Sequence, residues 1–472
     1  MDEAAIRSVV QEVLRQLGTS PPAPTANGRG TLKRHFGVFD EAASAAAAAH
    51  DAYLQLAKLG LAGREKVVQI VKTMCFDQAA EWGRIELEET KIGILAHKVE
   101  KLLGQKNVPG TEWLSPLGMS GDHGITMEEN CPFGVIGAIT PVTHSIPTLA
   151  CNAINMVAAG NAIVFNAHPG GAKCAAMAVR AFNEAIHAEL GIENLLTIIE
   201  TPSLESFDGI CQSELVKLLC VTGGPGIVKA AMKSGKRAIC AGPGNPPVLV
   251  DETADLAQAA QDIIFGGAWD NNLLCIGEKE VFVVDAVYGQ FLSEFKRAGA
   301  FPLDARQLAR LTEAAFQKDD KGHFRVNRDL VGQDATKLAA LAGATVPADT
   351  PLLFAETDAD HLFVIEEQMM PVLPVIRVRD VAEGIQRSLD AEHGYKHSAM
   401  IHSTNVKHMH AMARAMESTL FIKNGHCLSG LGSGGEGYAS FSIATTTGEG
   451  ITTPDTFTRK RRCVMVDALN LV

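Results

Sequence analysis

Ile6, Val9, Val10, Val13, Leu14 and Leu17 recur at i, i+3, i+4, i+7, i+8 and i+11, opposite Asp2, Glu3, Arg7, Glu12 and Arg15. That period predicts an amphipathic helix over residues 2–17, closed by Gly18 as its C-cap. Residues 19–30 lack large apolar side chains and are rich in Pro and Gly, which predicts a solvated linker. A lone helix of this length is marginal in water until its apolar stripe packs on something. The tether favours a separate partner over the helix's own domain.

From Thr31 the pattern changes. Residues 40–60 and 63–105 read as mainly helical. Short apolar runs then alternate with helical stretches: 134–140, 162–166, 195–199, 218–222, 247–251, 280–285 and 371–378. Strands separated by helices predict an α/β fold with parallel sheets. Residues 119–131 and 455–470 have strand character outside this rhythm, as an arm between subunits has.

The chain has 472 residues and a net charge of −12, with 46% hydrophobic and 20% charged residues. Its length predicts two or three domains. The acidic balance argues against a nucleic-acid surface, which needs clustered cations. The one basic run, Arg459–Arg462, reads as a salt-bridged strand. No segment approaches the ~20 apolar residues of a membrane span, so no membrane partner is expected. The 10 cysteines form no CxxC pair, and most sit in apolar runs, which points to a reducing compartment. His408 and His410 are two apart, a spacing that diverges on a helix, so no metal site is expected there.

Two segments carry candidate chemistry. Val216–Gly226 reads as a strand, a turn Thr222-Gly223-Gly224-Pro225-Gly226, and a helix whose free N–H groups suit an anion. It is not a GxGxxG fingerprint, and the same turn serves purely structural helix starts. Asp270–Lys279 places Cys275 in a polar, Asn-rich loop before a strand, unlike the other nine cysteines. A reactive thiol needs partial exposure and a field that favours thiolate.

Taken in order, several motifs resemble the aldehyde dehydrogenase superfamily, and most closely its CoA-acylating branch from bacterial microcompartments. They are Gly134–Pro141, Ala159–Asn166, Val221–Gly224, Asn272-Leu273-Leu274-Cys275 and Glu367–Val372. The resemblance runs from Gly37 to Val472. It implies two doubly wound parallel-sheet domains, an NAD-binding one over 31–118 and 132–245 and a catalytic one over 246–445. It also implies an oligomerisation arm over 119–131 and 446–472, beyond an encapsulation helix over 1–18 and the linker 19–30.

The implied reaction oxidises a short-chain aldehyde, propionaldehyde or acetaldehyde, with NAD and coenzyme A through a thioacyl-Cys275 intermediate. Cys275 is the expected nucleophile. Thr143 stands where hydrolytic relatives carry an oxyanion-hole Asn. Thr140, Pro141, Asn166, Ala167, His168, Pro169, Thr222, Gly223, Gly224, Ala241, Gly242 and Glu367 are the expected cofactor residues, with Glu367 on the nicotinamide ribose. Asn166 replaces a Lys that contacts the adenosine ribose, which implies a remodelled pocket that also admits the adenosine of CoA.

Aligning Gly244 and Pro247 with the family puts Ala241 where hydrolytic members carry the Glu that activates water. Without that carboxylate, no side chain at this point takes a proton from water. A thiol with a pKa near ~8.5 needs less help, which favours transfer to CoA. His393–Ser398 resembles another signature of the branch, with His397 either exchanging a proton with the thiol or packing to orient its loop. Asn424–Cys427 and Gly430–Gly437 resemble the glycine-rich segment near the substrate tunnel; a plain loop is the other reading.

The implied protein is a cytoplasmic homo-oligomer, dimer or tetramer, inside a microcompartment, with shell or cargo proteins bound through residues 1–18. Three other readings stay open: a dehydrogenase releasing free acid, an inactive scaffold, and histidinol dehydrogenase, echoed by Gly242-Pro243-Gly244-Asn245.

Overall fold

The computed structural model describes residues 35–319, 322–467 and 469. The helix expected over residues 1–18 and the linker 19–30 lie outside these. Everything below concerns the unit His35–Val472.

Its first long element is the helix Ala42–Asp77, broken at Gly60, whose φ of 62° and ψ of −147° are non-helical. Ala42, Ala45, Ala46, Ala49 and Ala52 are buried. Side chains this small let the helix lie close against the strand Ala162–Ala167 and the helix Ser145–Ala158. The expected second helical stretch, 63–105, begins inside Ala42–Asp77 and continues as Ala79–Thr90 and Leu95–Leu103.

Two parallel sheets follow. Across the six-stranded sheet the order is Val38–Phe39, Leu196–Ile199, Ala162–Ala167, Val135–Thr140, Val216–Thr222, Ala238–Ala241. Successive connections run to one side of Val135–Thr140 and then to the other. This is a topological switch point, and open α/β sheets bind ligands at the carboxyl ends there. The register puts Thr140 opposite Ala167 and Thr222 opposite Ala241, with Ile139 opposite Val221, so four expected cofactor residues share that edge.

The seven-stranded sheet runs Phe301–Pro302, Leu353–Glu356, Val372–Val378, Glu280–Val284, Pro247–Val250, Ser398–His402, Leu420–Lys423. Its four adjacent strands Val372–Val378, Glu280–Val284, Pro247–Val250 and Ser398–His402 begin just after Glu367, Cys275, Gly244 and His397 respectively. Hence one amino-terminal edge gathers the chemistry. The strands Ala238–Ala241, Leu353–Glu356, Ser398–His402 and Leu420–Lys423 add to the predicted set.

The segment 119–131, with strand character in the sequence, lies in a hairpin of Leu117–Gly121 and Gly124–Pro132. Gly124 turns it with a φ of +110°, where a Cβ would collide with Met465 O. Thr458–Val466 adds antiparallel to complete a three-stranded sheet, and its Arg462 pairs with Glu128 at 2.8 Å. Leu117, Met119, Met127, Val464, Met465 and Val466 are exposed on this sheet.

Buried charges join the first layer to the loop before Cys275. Lys98 Nζ donates to Glu86 Oε1 at 2.9 Å and to Thr143 O at 3.2 Å. Lys101 Nζ contacts Thr143 O at 3.4 Å and His144 Nδ1 at 2.7 Å, and forms an ion pair with the Asp270 carboxylate. Burial draws the Lys101 ammonium down to about 8, with Asp270 opposing the shift. Asp270 also accepts from Ile94 N at 2.7 Å. Removing one partner of such a pair strands the other charge in the interior. Lys101→Met is therefore expected to cost about 3–5 kcal/mol in denaturant unfolding. A loss below about 1 kcal/mol, the level of a surface pair, would contradict this role.

Candidate active site

The helix Leu256–Ala268 ends at Trp269, and the next three residues, Asp270, Asn271 and Asn272, have φ of 51°, 56° and 62°. Asp and Asn tolerate this left-handed region better than other side chains with a Cβ. The Asn-rich run is nevertheless no solvated loop: all three side chains are buried and bonded. Asn271 Nδ2 donates to Gly332 O and Asp334 Oδ1, both at 2.9 Å. Asn272 Nδ2 donates to Gly267 O and Glu278 O, both at 2.8 Å. Lys279 Nζ donates to Asn272 O at 2.9 Å, to Leu274 O at 3.2 Å, and to the Asn272 side-chain oxygen.

Cys275 emerges from this turn with partial exposure. Its neighbours come from three other strand entries. A Cβ at position 244 would lie 2.5 Å from Cys275 O and 2.9 Å from His397 Cγ, so only glycine fits between the nucleophile loop and the imidazole. Gly244 N faces Glu367 Oε1 at 3.5 Å. Gln368 fixes this carboxylate's segment, with Nε2 donating to Val372 O at 3.2 Å and to Lys279 O at 3.4 Å.

The electrostatics are mixed. Burial pushes the Cys275 thiol up to about 12, helped by the Glu367 charge and opposed by Lys279. Glu367 is itself held above the usual carboxylate range by burial, with Lys279 pulling it back. Burial lowers His397 to about 4, with the Lys279 charge acting in the same direction, so the imidazole is neutral at physiological pH. His397 Nδ1 lies 2.9 Å from Ser398 Oγ, while Nε2 is buried with no hydrogen-bond partner among the described residues. That ring nitrogen is thus left open to a donor from a ligand.

The other edge carries the expected cofactor residues. Thr222 continues into Gly223 and Gly224, and the helix Pro225–Lys233 starts there without a side-chain cap. A Cβ at Gly224 or Gly226 would meet nothing within 4 Å. The N–H groups of that helix start are thus left without side-chain partners, as a pyrophosphate needs. Gly223 N donates to Ala241 O at 3.1 Å, and a Cβ at Gly242 would strike Thr446 Oγ1 at 2.5 Å. These features fit a dinucleotide, with Glu367 supplying a carboxylate from the facing sheet.

Asn166 is buried and accepts from Ser206 Oγ at 2.8 Å, so its amide is already engaged. His168 and Pro169 are exposed beyond it, and His168 Nδ1 accepts from Gly170 N at 3.1 Å. The Thr140 hydroxyl is buried without a partner among the described residues. Pro141 and Thr143 follow at the same edge, the latter held through its carbonyl by Lys98 and Lys101. Position 241 presents only a methyl group.

Sequence reasoning missed Lys279, Lys101 and Asp270. The only signal was the charged triplet Glu278-Lys279-Glu280 directly before an apolar strand, where burial makes charge costly.

The other cysteines are free, and all but Cys131 and Cys463 are buried. Burial pushes the Cys151, Cys211 and Cys240 thiols up to about 11 and holds Cys75, Cys174, Cys220 and Cys427 higher still.

Comparison with known proteins agrees with this geometry. Residues 31–437 match the aldehyde dehydrogenase family. The chain is 41% identical over 475 residues to acetaldehyde dehydrogenase (acetylating) EutE of Escherichia coli, covering 100% of each. It is 36% identical over 474 residues to propanal dehydrogenase (CoA-propanoylating) of Salmonella typhimurium, covering 99% of this chain and 98% of that one. A crystal structure of Rhodopseudomonas palustris propionaldehyde dehydrogenase with bound propionyl-CoA superposes with a TM-score of 0.90 at 39% identity, covering 96% of this chain and 100% of that one. Another crystal structure of that enzyme holds CoA and an acylated cysteine. The chain belongs to the aldehyde dehydrogenase family, and within it to the CoA-acylating branch.

Proposed function

We propose that this chain oxidises a short-chain aldehyde, propionaldehyde or acetaldehyde, with NAD and CoA, yielding acyl-CoA and NADH through a thioacyl on Cys275. The observation that carries the reading is the packing of Cys275, Gly244 and His397 on one edge, with no carboxylate at position 241. The relatives' acetylating and CoA-propanoylating activities support it.

The Cys275 thiolate, its proton lost to solvent, attacks the aldehyde carbon, and the carbonyl oxygen becomes an oxyanion. The Cys275 backbone N–H, with the Thr143 hydroxyl, donates to that oxygen. The Thr222–Gly224 turn and Glu367 would hold NAD, which would supply the hydride acceptor that collapse of the oxyanion needs. The remaining thioester then waits for a nucleophile. His397, neutral at physiological pH, takes the proton of the CoA thiol on its free Nε2. The CoA sulfur attacks the acyl carbon, the Cys275–acyl bond breaks, and the Cys275 thiolate leaves. The ribose and adenosine contacts belong to Glu367 and to the Asn166–Pro169 turn.

Exposed apolar side chains on both faces of the three-stranded arm, Leu117, Met119, Val464 and Val466 on one and Met127 and Met465 on the other, support a homo-oligomer, since uncovered apolar surface of this kind calls for a partner. The apolar repeat in the sequence of residues 1–18, followed by the Pro-rich stretch 19–30, supports docking on a shell or cargo groove inside a microcompartment.

With NAD and propanal but no CoA, the protein is expected to release about one NADH per site and stop, as a stable covalent intermediate dictates. With CoA it turns over, and the product has the mass of propionyl-CoA. Continuous free-acid formation without CoA would falsify the acylating reading. Cys275→Ala should abolish both the burst and turnover, whereas His397→Ala should keep the burst and slow the CoA-dependent step.

Met127→Lys with Val464→Asp is expected to give smaller species in analytical ultracentrifugation; an unchanged sedimentation coefficient removes the arm from the interface. Deleting residues 1–18 should leave activity in solution intact and abolish co-purification with shells. Unchanged shell association counts against a role for the helix.

A further inference from the structure

Lys279 has no part in the mechanism above, yet it is fully buried one turn beyond the nucleophile. An ammonium has three N–H donors. Here the three acceptors are Asn272 O, the Asn272 side-chain oxygen and Leu274 O. Leu274 O also accepts from Gly277 N at 3.1 Å. The Leu274–Cys275 peptide is trans, since the chain contains no cis bonds among the described residues. In a trans peptide the carbonyl and the N–H point in opposite directions. Anchoring Leu274 O toward Lys279 therefore turns the Cys275 N–H away, to the side from which its own sulfur is stabilised.

We propose that Lys279 is a positioning residue for the acylating reaction, its ammonium fixing and polarising the Leu274–Cys275 peptide so that the Cys275 N–H meets the oxyanion. The same positive charge lowers the Cys275 thiol. This rests on Cys275 being the nucleophile. Other charges act on the same pocket. Cys275, Glu367, Cys427 and Glu280 face Lys279, and its charge also reaches the imidazoles of His397 and His144. Glu367 opposes Lys279 at the sulfur: the carboxylate raises the thiol and the ammonium lowers it. The two side chains thus make opposite predictions for one observable.

The test is the pH profile of Cys275 alkylation by iodoacetamide, followed by peptide mass, with kcat and KM measured beside it. In Lys279→Met the alkylation midpoint is expected to rise by about 1–3 pH units, the effect of losing a nearby opposite charge. Its kcat should fall about 100-fold or more, the scale of a lost oxyanion donor, with KM for NAD within twofold. Lys279→Arg should restore the midpoint and only part of kcat. Glu367→Gln should move the midpoint down. Should Lys279→Met fail to fold, as judged by circular dichroism, Lys279→Gln and Glu367→Gln give the same reading. An unmoved midpoint in a folded Lys279 variant, or an upward shift in Glu367→Gln, overturns the proposal. Acyl-CoA formation by Cys275→Ala would instead overturn the nucleophile assignment, a distinct outcome.

Discussion

Three left-handed residues precede the nucleophile, and each costs about 1–2 kcal/mol relative to ordinary helical backbone. Only a surround that binds every side chain can hold such a turn. Asp270 is held by Lys101 and the Ile94 N–H, Asn271 by Gly332 and Asp334, and Asn272 by Gly267, Glu278 and Lys279. Buried bonds to charged groups contribute about 1.5–3 kcal/mol each, enough to offset the backbone term. The turn aims Cys275 out of the core while keeping its loop anchored. Because Lys101 also donates to Thr143 O, one ammonium ties the loop after strand Val135–Thr140 to the loop that carries Cys275.

The site divides its tasks between two sheet edges. Carboxyl ends of the first sheet line up glycines, an uncapped helix start and small side chains, suited to a long, polar ligand. Amino ends of the second sheet deliver thiol, carboxylate and imidazole. The connection Gly242–Pro246 holds these edges together, since six residue steps span at most about 20 Å. Gly244 sits in this connection and is also the spacer between Cys275 and His397. One short segment therefore sets both the separation of the edges and the approach of the His397 ring to the Cys275 loop.

Much of this was legible beforehand. The alternation of apolar runs with helices located seven strands within a few residues, because strands buried on both faces read as continuous hydrophobic runs. Short strands such as Ser398–His402 escaped because they were read as motif flanks rather than as sheet. The ordered motifs located Cys275, Glu367 and His397, whereas composition alone left Cys275 as an unusual cysteine in a polar loop. That description says nothing of burial: Asp270, Asn271 and Asn272 are buried, and their polarity is satisfied by distant side chains and backbone. Buried lysines were illegible for the same reason. A charge in sequence reads as surface until a partner from a distant segment, such as Asp270 for Lys101, is known.

Seven of the remaining cysteines are shut in the interior, whereas Cys275 keeps partial exposure. An aldehyde condenses only with sulfur that it can reach, and these seven are closed to it. A chain rich in sulfur can thus work in a concentrated electrophile without self-poisoning. The vulnerable sites are confined to Cys131 and Cys463 on the arm, far in sequence from the reacting centre, and a neighbouring subunit covering that ribbon would shield them as well.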